Sequence, residues 1–96
     1  MKSILSNANK CYLCGTWSGI QTHHVYFGSA RKISEANGFK VPLCRECHTG
    51  NDGAHFNIDK DIKLKQICQK RFEQTHTRAE FMSLIHRNYL MEEQYV

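Results

Sequence analysis

The chain has 96 residues, enough for one domain and for a core so small that a cross-link or bound metal usually reinforces it. At 41% hydrophobic and 23% charged residues its composition is that of a globular protein, which excludes a disordered tract, a collagen-like repeat and a coiled coil. Thirteen basic against nine acidic residues leave a formal charge of +4, which favours a polyanionic partner, and no apolar run reaches the roughly 20 residues of a bilayer span.

Residues 1–10 read as a loose lead-in without the apolar stretch of an export signal, so a cytoplasmic address and no membrane partner are expected. In a reducing compartment five cysteines point to metal ligation rather than to a two-disulfide scaffold. Cys11-x-x-Cys14 and Cys44-x-x-Cys47 are two short knuckles, each converging two thiolates, and together they make a four-sulfur site that suits structural Zn²⁺. Cys68 falls outside both pairs and reads as a small buried apolar residue.

After the first knuckle, Trp17 to Phe27 has the β-branched and aromatic content of a hairpin, turning at Ser18-Gly19, with His23 to Phe27 as its second strand. Ser29 to Asn37 reads as a short helical or irregular stretch, and Gly38 as its C-cap before a strand at Phe39-Lys40-Val41. Past the second knuckle, the glycines of Thr49 to Gly53 oppose a long regular helix. Asn57 or Asp59 caps a helix from about Lys60 to Gln74 that turns Leu64, Ile67, Cys68 and Phe72 to one face. The capping box Thr77-x-x-Glu80 starts a second helix, about Arg78 to Arg87, burying Phe81, Leu84 and Ile85, with Tyr89 and Leu90 closing the core. The whole is a small α+β domain over 1–96, its core at about 10–56 and its helical part at about 57–90.

The interval between the knuckles exceeds the 15–20 residues of a minimal zinc ribbon, and the insert carries His23-His24. Adjacent residues on a strand point to opposite faces, so one imidazole can bind a metal while the other addresses a substrate. His48 directly follows a zinc cysteine and His55 returns after the glycine loop. These four histidines suggest a second metal site with open positions, while His76 and His86 read as a helix-end and a surface group.

Cys11-x-x-Cys14, His23-His24-Val25, Leu43-Cys44-x-x-Cys47-His48 and Gly53-Ala54-His55-Phe56 resemble the HNH nuclease superfamily, whose ββα-metal core is often built on a zinc-bound treble clef. The run from His24 to Lys32 is similar to that of phage-type HNH proteins related to the RecA-dependent nuclease family. The resemblance covers about residues 10–90. It implies a hydrolase: a metal-dependent endonuclease acting on DNA in a bacterial or phage-infected cell, monomeric or dimeric, with a recombination or phage protein as a partner. Residue by residue it implies His24 as general base, with His23 and His48 as ligands of a catalytic Mg²⁺, Mn²⁺, Ni²⁺ or Zn²⁺. His55 is the chosen third ligand and Asp52 its competitor. The usual place of the middle Asn holds Phe39, with Asn37 nearby to supply its hydrogen bonds. Arg31 and Lys32 are expected to clamp phosphate, and the basic stretch Lys60, Lys63, Lys65, Lys70 and Arg71, opposed within it only by Asp61, to follow a neighbouring backbone. The alternative is a non-catalytic zinc-bound nucleic-acid-binding or adaptor module that keeps the fold.

Overall fold

The computed structural model describes residues 2–90. Its one sheet among these residues has two strands, β1 (Ile20–His24) and β2 (Lys40–Cys44), paired antiparallel with Ile20 opposite Cys44, His23 opposite Val41 and His24 opposite Lys40. The local hairpin expected over Trp17 to Phe27 is not formed, and the strand expected at His23 to Phe27 ends at His24. The residues just ahead of it are turned back on themselves by the knuckle, where the Cys11 N–H reaches the Thr16 carbonyl at 2.7 Å and the Gly15 N–H reaches the Cys11 carbonyl at 2.9 Å. The partner strand comes instead from beyond the insert, and it runs to Cys44 rather than stopping at Val41. Pro42 is tolerated because β2 has no third strand beside it; its carbonyl accepts the Tyr12 N–H at 2.8 Å, which fastens the first knuckle to the sheet.

The insert folds back as a single 3-10 turn (Gly28–Ala30) and a helix, α1 (Arg31–Asn37). Ser34, fully buried, stitches α1 to the end of β1: its hydroxyl donates to the Tyr26 carbonyl at 2.5 Å and accepts the Tyr26 N–H at 3.2 Å. Gly38 ends α1 in the left-handed region (φ 74°), and a Cβ there would lie 2.3 Å from the Lys2 carbonyl oxygen, so only glycine lets the N-terminal strap lie against this corner. The strap is held by the Ile4 N–H on the Gly38 carbonyl at 3.0 Å and by a short hydrogen bond from the Ser3 hydroxyl to the Lys40 carbonyl.

Helix α2 (Arg45–Thr49) begins at the second knuckle, with the Cys44 sulfur accepting the Cys47 N–H as its cap. The following loop doubles back on α2 through the Ala54 N–H on the Cys47 carbonyl at 2.7 Å and the His55 N–H on the His48 carbonyl at 3.2 Å. Gly53 permits that approach, since a Cβ would sit 2.7 Å from the Glu46 carbonyl oxygen. Helix α3 (Ile58–Phe72) is capped by Asn57, whose side chain accepts the Lys60 N–H, and it starts and ends two residues earlier than expected. Helix α4 (Arg78–Ile85) is capped by Thr77 as the capping box requires and stops two residues short of Arg87, where His86 turns left-handed.

The core is aromatic. Tyr26, Phe39, Phe72 and Phe81 meet largely edge to face, with Tyr26–Phe39 at 5.4 Å, Phe39–Phe72 at 5.3 Å and Tyr26–Phe81 at 5.5 Å between centroids. Val41, Leu43, Leu64 and Cys68 fill the space around them, and Leu84, Ile85 and Tyr89 pack at the margin. Ile67 is only half-buried; the fully buried neighbour of Cys68 is Gln69, whose amide bonds Glu73, Asn88 and the Tyr89 N–H. Among the described residues no helix is long and apolar enough to cross a membrane.

Candidate metal centre

The two knuckles bring Cys11, Cys14, Cys44 and Cys47 together with all four sulfurs within 4.8 Å of one another, close enough to hold a metal such as zinc. All five cysteines are thiols, so no disulfide competes for them. Each knuckle also aims a backbone N–H at its own first sulfur, Cys14 at Cys11 (3.4 Å) and Cys47 at Cys44 (3.5 Å). Burial opposes ionisation of Cys11, but backbone N–H groups of Cys44, Cys14 and Leu13 outweigh it and bring the thiol down to about 6. Burial and the neighbouring sulfurs push Cys47 the other way. Four sulfurs this close cannot all ionise without a cation between them, which is the chemistry of a tetrahedral thiolate site.

A second cluster is made of histidines. β1 contributes His23, α2 contributes His48 and the doubled-back loop contributes His55, with one ring nitrogen from each within 4.8 Å of the others. His23 packs edge-on against both partners, at 5.2 Å between centroids in each case. It is 1% exposed and neither ring nitrogen has a hydrogen-bond partner among the described residues, an arrangement that costs stability unless a Lewis acid takes the lone pair. Desolvation, together with His48 and His55 nearby, depresses its pKa to about 3, so the ring is neutral and ready to ligate. His48 is also lowered, by burial first and then by His55 and His24. Its Nδ1 lies 2.7 Å from the Gln21 Oε1, which can only accept; the proton therefore sits on Nδ1 and leaves Nε2 to face the His55 Nε2 at 3.1 Å.

Asp52, the competing ligand, turns away: its carboxylate accepts from Asn57 at 2.9 Å and its pKa is lowered by that bond and by Lys60. His55 rather than Asp52 completes the cluster.

His24 projects from the opposite face of β1. Its Nε2 lies 2.8 Å from the Glu35 Oε1, and the other Glu35 oxygen takes the Lys40 ammonium at 2.6 Å, so one carboxylate from α1 bridges a cross-strand pair. Hydrogen bonds from Lys40 and then His24 hold Glu35 down at about 2. Asn37 does not serve His24, since its amide donates to the Ile33 carbonyl at 2.9 Å, and Phe39 is core. At the free edge of β1 the two faces meet in a pocket of about 270 Å³ lined by Thr22, His24, Phe27, Arg31, His48 and His55.

Arg31 is therefore at the site. Lys32 and Lys63 are exposed but do not line this pocket. The basic face expected on α3 is partly neutralised: Lys65 turns inward to Asp61 at 2.7 Å and lies over the Phe27 ring, and Lys60 pairs with Asp52. His76 stacks on Phe72 and His86 caps α4, both away from the cluster. Sequence reasoning missed Gln21 and Glu35. Gln21 was within reach, since it sits two residues before His23 and so on the same face of β1; Glu35 had no signal short of the α1 fold-back. Comparison of the chain with family models, curated proteins and solved structures finds no match.

Proposed function

We propose that the protein is a metal-dependent HNH-type endonuclease that hydrolyses DNA phosphodiester bonds. The observation that carries the reading is His23: a fully buried imidazole with both nitrogens unpartnered among the described residues, grouped with His48 and His55, while its neighbour His24 lines one pocket with those two partners. His23, His48 and His55 would hold the divalent cation, and zinc in the four-cysteine site would tie β2 and α2 to the first knuckle. When bound, the cation supplies charge stabilisation to the phosphoryl group and to the departing 3′ oxygen.

The remaining work falls to the chain's own side chains. The Glu35 carboxylate can only accept, so the neutral His24 keeps its proton on Nε2 and offers Nδ1 as the base that takes a proton from water. Lys40 holds Glu35 from the far side, which restricts the carboxylate and through it the plane of the ring. Arg31 lines the pocket and is placed for a non-bridging phosphate oxygen, a contact that positions the backbone without reading sequence.

The adaptor reading keeps one observation in its favour, the buried Phe39 in place of the middle Asn. Incubation of the zinc-loaded protein with plasmid DNA and Mg²⁺, Mn²⁺, Ni²⁺ or Zn²⁺ separates the two. Cleavage by the wild type that falls on the order of 10²–10⁴-fold in His24→Ala, with folding and zinc retained, supports the enzyme. No cleavage with any of the four metals leaves the adaptor module.

A further inference from the structure

A second concavity is larger than the histidine pocket. It is a groove of about 720 Å³ between the N-terminal strap and the outer face of the sheet. Ile20, Thr22 and Pro42 form part of its floor, Asn7 and Asn9 line the strap side, and Trp17 stands at its rim. Lys2 and Lys40 also line it, and among the described residues no Asp or Glu does. Trp17 is 70% exposed, an unusual surface for the chain's one indole, and the Lys10 ammonium lies 5.8 Å from the ring centroid. Thr22 lines both this groove and the histidine pocket, so the two concavities adjoin on one strand.

We infer that this groove binds a single-stranded nucleic acid segment, with an unpaired base stacked on Trp17. A duplex has both faces of each base already covered, so an exposed indole gains nothing from it except at an end or a break. Lys2 on the groove and Lys10 beside the indole supply phosphate attraction, the Lys40 ammonium being already held by Glu35, and the Asn and Ser side chains of the strap supply adaptable hydrogen bonds, a combination that tolerates any base. The inference rests on the endonuclease reading only in assigning the bound segment to the same substrate: the groove would hold the strand flanking the cleaved bond and favour substrates with an unpaired region.

The test uses the fluorescence of the single tryptophan, with the zinc-loaded His24→Ala protein so that turnover does not consume the probe. Oligo(dT) is expected to quench Trp17 and to bind more tightly than a blunt duplex of the same length. Trp17→Ala, measured by anisotropy of labelled oligo(dT), is expected to weaken binding by about tenfold or more while zinc content and circular dichroism stay unchanged. Absence of quenching, equal quenching by the duplex, preference for polyglutamate over oligo(dT), or wild-type affinity in Trp17→Ala would overturn it. Quenching in a protein that cleaves nothing removes the endonuclease reading and keeps the groove; cleavage without quenching does the reverse.

Discussion

His23→Leu separates a metal ligand from a structural histidine. The side chain is 1% exposed and its two ring nitrogens are unpartnered, so without a cation the imidazole is a burden: one unsatisfied buried polar group costs about 1–3 kcal/mol. Leucine removes that penalty and keeps an apolar side chain of similar bulk against Phe27, so the variant, freed of all divalent ions except any held by the four cysteines, should match the wild type or exceed it by up to about 2 kcal/mol. With Mn²⁺ or Ni²⁺ at a hundred times its dissociation constant, the wild type should gain about 2.7 kcal/mol and the variant nothing. In a domain of this size each kcal/mol moves the midpoint by roughly 4–8 °C, so the wild-type shift should be about 10–20 °C. Thermal unfolding followed by circular dichroism, with and without the ion, reads both quantities. A loss of 3 kcal/mol or more in the ion-free variant, or an equal metal shift in both proteins, would refute the reasoning, because His23 would then be satisfied by the fold itself.

Replacing Cys47 by serine should release the zinc and unfold the chain, since such sites contribute on the order of 10 kcal/mol, comparable with the stability of a small domain; metal analysis and circular dichroism check it. Glu35→Gln should retain partial cleavage where Glu35→Ala retains less, with substrate KM little changed and the loss in kcat, because glutamine Oε1 still accepts from His24 Nε2 but without the charge. Cys68, whose thiol burial pushes up to about 12, should resist iodoacetamide at pH 8 in the native protein and react once it is unfolded. Because the native thiol holds its proton above the ordinary range near 9, stability should be complete below pH 9 and fall as pH rises from there towards 12; denaturant titrations across that range should show a shallower fall in Cys68→Ala.

The cysteine knuckles and the two C-terminal helices are plain in the sequence because each rests on local chemistry: a fixed Cys-x-x-Cys spacing, an Asn cap at Asn57, and a Thr77 cap whose hydroxyl accepts the Glu80 N–H. Three of the histidines could be grouped because the knuckle fixes His48 and the glycines allow His55 to return. What escaped was non-local. A hairpin closed at Ser18-Gly19 and a ladder closed across α1 both use the residues around His23, and it is the tertiary pairing with Lys40–Cys44 that decides between them. Glu35 was equally hidden, since on α1 it is an ordinary exposed acid until Lys40 and His24 come opposite each other across the strands. The α3 charges misled for a related reason: Asp52, outside the helix, and the inward turn of Lys65 both reduce a positive face that counting along the chain overstated.

The two-residue alternation of β1 has a consequence for how errors would spread. Because side chains alternate on a strand, sliding β1 by one residue against β2 would turn His23 outward and drive His24 and Thr22 into the apolar side beside Val41 and Leu43. A free hairpin with so few rungs has little to prevent that slip. Here the far end of the ladder is a zinc-type knuckle: Cys44 is both the last residue of β2 and a member of the four-sulfur cluster, and Tyr12 of the other knuckle bonds Pro42 in its middle. The sulfur cluster is thus a clock-setting device for the strand, and chemistry at its thiols, oxidation included, would be read out one face away as loss of the histidines' alignment.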